Sequence, residues 1–114
     1  MRKNIDANWT QYWPEPPFPA FPSGHSTQGA AMATVLTNMY GDNFSFIDDT
    51  HKGLFLPPYT TTLNTRSFTS IWASAEECAY SRFLGGIHTQ QDNDTGIAEG
   101  IKIGGNINKL AWKK

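Results

Sequence analysis

The sequence has a single cysteine, Cys78, so no disulfide can form within it. It has no apolar run near the roughly 18 residues that a membrane-crossing helix needs, and no such span is expected in this chain. It has no excess of either charge: nine basic residues stand against ten acidic ones, a formal net charge of −1. That balance gives no basic surface for nucleic acid and none for an anionic membrane. The opening residues are polar and lack the apolar core of a signal peptide. No internal repeat is present, and no low-complexity tract beyond a proline-rich start. What remains is 114 residues, enough for one domain of modest size. Cys78 follows Glu76 and Glu77 in a helical pattern and reads as a packing residue, not a reactive thiol.

Taken in order, residues 1–21 form an extended arm. Trp9, Tyr12, Trp13 and Phe18 alternate with Pro14, Pro16, Pro17 and Pro19, a composition that cannot continue as helix. The aromatics are expected to cover the chain's own helices. Residues 22–114 form a helical core. A helix is expected from about Ser26 to Tyr40, with Gly29, Ala30, Ala31 and Ala33 allowing a close helix crossing. Gly41-Asp42-Asn43 ends it. Phe44 to Phe68 has no sustained period and is expected as one long loop, with His51 on the surface and Arg66 solvated or bracing the loop. A second helix runs from Ser70 to Leu84, with Ile71, Ala75 and Ala79 on one face. A third runs from about Gln90 to Trp112. Its inward stripe is expected to be Ile97, Ile101, Gly104, Ile107 or Asn108, and Ala111. The fold class is therefore all-α: three helices, one long loop and one arm.

The chemistry concentrates in Ser81 to Asp92. Arg82 closes the second helix, Gly85 and Gly86 break it, and His88 and Asp92 open the third at a spacing of four. A guanidinium, an imidazole with a carboxylate in reach, and free N–H groups at a helix start together suit a tetrahedral oxyanion. Upstream, Pro22-Ser23-Gly24-His25 precedes the first helix. The N–H groups around Ser23 and Gly24 offer a second anion cradle, with His25 at its rim. Each residue also has a purely structural use. Thr89-Gln90-Gln91-Asp92 is a helix-capping pattern, so Asp92 could serve as a cap. His25 and His88 could be packed histidines, and Arg82 could lay its stem along apolar surface. A zinc site built from His25, His88 and Asp92 is a further option, opposed by the neighbouring guanidinium.

Pro-Ser-Gly-His followed by Ser-Arg, five residues, His, three residues and Asp resembles the type 2 phosphatidic acid phosphatase and vanadium haloperoxidase superfamily. Pro16-Pro17-Phe18-Pro19, Ser26-Thr27, Gly41-Asp42-Asn43-Phe44 and Gly85-Gly86-Ile87-His88 are similar to its bacterial haloperoxidase-like branch. The resemblance spans nearly the whole chain. It implies that His88 is an in-line nucleophile forming a phosphohistidine, or the ligand of a vanadate cofactor. It implies that Asp92 orients His88, that His25 is the general acid and base, and that Arg82, Ser23 and Gly24 bind the anion. The implied substrates are a small phosphorylated compound, or a halide with peroxide.

The chain departs from the superfamily at its first motif, a lysine, six residues, then arginine-proline. Only Arg2 and Lys3 lie upstream of Pro22, and no Arg-Pro occurs. The sequence is thus expected to be the C-terminal portion of a larger helical bundle. Loss of one fixed donor to a transition state costs ~2.7–4 kcal/mol, so weak or absent turnover is expected. The alternative is a truncated, non-catalytic folding or interaction unit. Its uncovered apolar faces would favour self-association or a missing N-terminal segment.

Overall fold

The computed structural model describes residues 6–8, 16–55 and 62–111. Trp9, Tyr12, Trp13 and Pro14, which the sequence assigns to the aromatic arm, lie outside the described residues, as does Trp112. Residues 16–21 contain no helix or strand, and Phe18 and Phe21 are exposed.

Helix α1 spans Gly24–Tyr40, starting two residues before the sequence-based estimate. Its N-cap is Ser23, whose hydroxyl accepts from the N–H of Ser26. Gly41, at φ 90°, ends it by donating its N–H to the Thr37 carbonyl. Helix α2 spans Ile71–Leu84 and is capped by Ser70. Helix α3 spans Gln90–Asn108 behind a complete capping box of Thr89 and Asp92.

The expected loop between α1 and α2 is not wholly irregular. Phe46–Asp48 (β1) and Arg66–Phe68 (β2) pair antiparallel, with Phe46 opposite Phe68 and Asp48 opposite Arg66. Each strand is only three residues long, too short for an alternating pattern to stand out in the sequence. Cross-strand contact of the Phe46 and Phe68 rings, 5.3 Å between centroids, helps hold this ribbon. Arg66 forms an ion pair with Glu77 of α2 and so braces the ribbon, one of the two expected uses. His51 is exposed, as expected.

The packing of α3 bears out Gly104, leaves Ile97 and Asn108 half-buried, and corrects the rest of the expected stripe, with Ala111 exposed. Ile101, Ile103 and Ile107 are exposed, and the buried stripe is Asn93, Gly96, Gly100 and Gly104. These glycines let α3 lie directly on the α1 backbone. A Cβ at Gly96 would sit 2.6 Å from the Ser23 carbonyl oxygen, and one at Gly104 would sit 2.6 Å from Thr34 Cβ. Steric room, not apolar area, chooses the face. On α1 the small residues Ala30 and Ala33 are buried, as the close-crossing argument requires. On α2 the inward residues are Ile71, Ala75 and Ala79. Ala33, Ile71 and Ala75 form the core cluster, with Leu36, Phe46 and Trp72 packed around it. On the far side of α1 and α2, a hollow of about 700 Å³ is lined by Met32, Leu36, Phe44, Phe68 and Cys78, among others. Burial pushes the Cys78 thiol pKa up, consistent with a packing residue.

Candidate functional site

The two sequence motifs meet where α1 and α3 begin. The N–H of Ser23 donates to the carbonyl of Asp92 at 3.0 Å, a backbone tie between residues 69 positions apart. Ser26 Oγ lies 2.9 Å from Asn93 Oδ1 and 2.9 Å from Ser23 Oγ. A hydroxyl has one proton. With that of Ser26 given to Asn93, Ser26 accepts the proton of Ser23. Ser23, Ser26 and Asn93 are all buried. Gly96 completes the join by admitting the Ser23 carbonyl against α3.

This arrangement redistributes the anion-binding duties that the sequence suggested. The Ser23 N–H is spent on Asp92 and its side chain is buried, so it offers no backbone donor to a ligand. The Ser26 N–H is spent on the Ser23 hydroxyl. Gly24 and His25 occupy the first two helical positions, where an N–H has no partner within the helix. Neither has another partner among the described residues. They are the donors that face outward at the positive end of α1. No atom lies within 4 Å of a Cβ built on Gly24, so the approach to this end of the helix is open.

Arg82 lies in the last turn of α2. Its carbonyl accepts from the N–H groups of Ile87 and His88, which folds the following turn back onto the helix end. Gly86 makes that reversal with φ 72°, a left-handed conformation natural to glycine. The reversal places His88 immediately ahead of the Thr89 cap. His88 is 6% exposed, and its Nδ1 is buried without a hydrogen-bond partner. Arg82 Nε is likewise buried and unpartnered.

His25 reports how near these groups are. Its imidazole is held below the ordinary histidine pKa, chiefly by partial burial, then by the Arg82 guanidinium, then by His88. The Ser23–Asp92 tie sets the α1 start beside the α3 start, and His25 feels the charges of Arg82 and His88 across that junction.

Asp92 serves the structural purpose foreseen for it. Its Oδ2 accepts from the Thr89 N–H at 2.7 Å, while the Thr89 hydroxyl accepts from the Asp92 N–H at 3.2 Å. The same Oδ2 lies 3.9 Å from His88 Nδ1, beyond hydrogen-bond length but within electrostatic reach. The zinc alternative finds no support, because His25, His88 and Asp92 do not form a group that could hold a metal cation. Sequence reasoning missed Asn93 and Ser26. The signal available was the spacing of Asn93, Gly96 and Gly100, which puts an amide at the head of the glycine stripe.

The chain matches the family model described as the VCPO second helical-bundle domain, over residues 1–113. It belongs to that family. As a haloperoxidase-type helical-bundle domain it is similar to a solved bacterial vanadium-dependent iodoperoxidase. The two are 42% identical with a TM-score of 0.83, over 96% of this chain and 25% of that one. It also shares the fold of a bacterial vanadium-dependent chloroperoxidase in holo form, at 22% identity and a TM-score of 0.74 over 88% of this chain. The apo form gives 23% identity and a TM-score of 0.71. The chain spans about a quarter of the length of these relatives. No curated protein matches it. Among the described residues, no helix is long and apolar enough to cross a membrane.

Proposed function

We propose that this domain contributes His88, Arg82, His25 and the α1 N-terminus to a site for a tetrahedral oxyanion, vanadate as cofactor or phosphate as substrate group. The backbone tie that joins the α1 start to the α3 start, together with the buried, unpartnered His88 Nδ1 and Arg82 Nε, supports this reading. The donor set suits such an anion: a buried imidazole, a guanidinium whose buried Nε has no hydrogen-bond partner among the described residues, and two outward N–H groups at a helix start. It does not suit a bare cation, which a guanidinium repels.

His88 would be the protein ligand of a vanadate. When bound, vanadate would supply the Lewis-acid chemistry by which peroxide oxidises a halide. Arg82 would offset the anion's charge, and Gly24 and His25 would orient its oxygens through their N–H groups. Asp92, 3.9 Å from Nδ1, would favour the tautomer that leaves the other ring nitrogen free for the anion. The low pKa of His25 makes it a proton acceptor at neutral pH, and an anion beside it would raise that pKa toward donor behaviour.

With a phosphate ester, the same residues would act in two steps. His88 forms an N–P bond as the ester P–O bond breaks, and protonated His25 gives its proton to the leaving oxygen. Water then attacks phosphorus, passing a proton to His25 and releasing His88. Residues 1–114 contain no lysine, six residues, arginine-proline, and one fixed donor is worth ~2.7–4 kcal/mol of transition-state stabilisation, so these residues by themselves are expected to bind the anion weakly and turn over slowly. Calorimetric titration with orthovanadate and with phosphate tests the proposal. Binding by the wild type and at least tenfold weaker binding by His88→Ala support it. Equal binding, or none in both, refutes it.

A second reading is favoured by the apolar surface. Met39, Tyr40, Tyr80, Phe83, Leu84, Ile101 and Leu110 are all exposed. Here the chain is a non-catalytic folding unit completed by self-association or by a further helical segment. A polypeptide carrying lysine, six residues and arginine-proline should then form a stable complex with it. Lack of complex formation would count against this reading.

A further inference from the structure

We propose that Asn93, acting through Ser26, is a positioning residue that holds the start of α1 in register with the start of α3. The purpose of that register rests on the oxyanion reading above; the clamp itself rests on geometry. Two groups of donors must face one anion, the N–H groups of Gly24 and His25 on one side and the His88–Arg82 turn on the other. They belong to segments more than fifty residues apart, and within the long α1–α3 interface three contacts lie at this end. One is the Ser23 N–H to Asp92 carbonyl bond at 3.0 Å. A second is the relay from Ser23 Oγ through Ser26 Oγ to Asn93 Oδ1, 2.9 Å at each step. The third is the close approach of Gly96 to the Ser23 carbonyl.

Glycine contact permits closeness but has no direction, because it gains nothing from one rotation over another. The single backbone bond can pivot about its own axis, and the Asn108 amide that donates to the Thr34 carbonyl lies toward the other end of the two helices. At the α1 start the relay supplies the missing direction. Asn93 is 1% exposed, Ser26 is 1% and Ser23 is 0%, so water cannot replace any member without opening the helix junction. The Ser23 hydroxyl also accepts from the Ser26 N–H at 3.3 Å, which closes a loop of bonds around the N-cap. Turning α1 about its axis would break the relay and swing Gly24 and His25 away from Arg82. The amide and hydroxyls touch no bound group. They act through the backbone that they fix.

The test compares the wild type with Ser26→Ala, Asn93→Ala and the double variant, by amide hydrogen exchange and by orthophosphate affinity. The Ser23 amide is the reporter of register, and the Ala79 amide in α2 reports global opening. In each single variant the Ser23 amide should exchange roughly tenfold faster while Ala79 is unchanged, and orthophosphate affinity should fall roughly tenfold. The double variant should be no worse than either single one, because both remove the same bond. If Ser23 and Ala79 accelerate together, or if affinity is unaltered with Ser23 exchange raised, the residues are merely structural and the proposal is overturned. Should Asn93→Ala fail to fold, Ser26→Ala decides alone, since it removes one oxygen atom. If the wild type binds no orthophosphate or vanadate but Ser23 exchange rises selectively, the clamp stands and the oxyanion reading falls.

Discussion

His25 binds its proton more weakly in the folded chain than in the unfolded one. The stability it contributes is therefore complete above its ordinary value of 6.5 and is lost as pH falls through that value toward the lower folded pKa. Urea unfolding between about pH 7 and 5 should show falling stability, and His25→Asn should flatten that slope. A slope unchanged by the substitution would mean that neither burial nor the charges of Arg82 and His88 lower the His25 pKa. A second residue-scale expectation concerns Thr89, which caps α3 reciprocally with Asp92. Thr89→Ala should cost about 1 kcal/mol in urea unfolding. Much of this was legible in the sequence. Pro-Ser-Gly-His and the arginine, histidine and aspartate of residues 82–92 mark themselves by type and spacing. The use of the Ser23 N–H was not legible, because it depends on which carbonyl of a distant helix lies opposite.

At the scale of elements, the chain writes its helix ends plainly and its packing faces less so. Serine at 23 and threonine at 89 announce two helix starts, and Ser70, read from sequence as the first residue of the second helix, caps it instead. Gly104 was placed correctly on the inward face of α3, but Gly96 and Gly100 were missed because isoleucine looks like a core residue and glycine does not. Contact with α1 is so close that only hydrogen fits at residues 96, 100 and 104. A Cβ at Gly100 would fall within 3 Å of Thr27 O and Ala30 Cβ, whereas nothing lies within 4 Å of one at Gly105. Gly100→Ala should therefore destabilise the domain by about 1–3 kcal/mol. Gly105→Ala should stabilise it by roughly 0.5–1 kcal/mol, since the unfolded chain alone loses freedom. Thermal unfolding of the two variants checks both signs.

At the scale of the molecule, the three helices leave a great deal of apolar surface open. The core cluster is small, and large side chains such as Leu84 and Leu110 are each 62% exposed. Apolar patches of this kind bind partners or associate with one another. Sedimentation velocity should show association that rises with concentration, and Leu84→Lys with Ile103→Lys should reduce it. A strict monomer at every concentration would contradict this expectation. The family relationship gives the patches a context, since the solved iodoperoxidase is about four times as long. The central claim is that residues from the α1 start and the α2–α3 turn enclose one anion. Histidine ring signals followed by NMR during a phosphate or orthovanadate titration test it most directly, because the chain has three histidines and one is remote. The signals of His25 and His88 should move along a single saturation curve while that of exposed His51 stays fixed. Separate curves for His25 and His88, or equal movement of all three, would contradict the account.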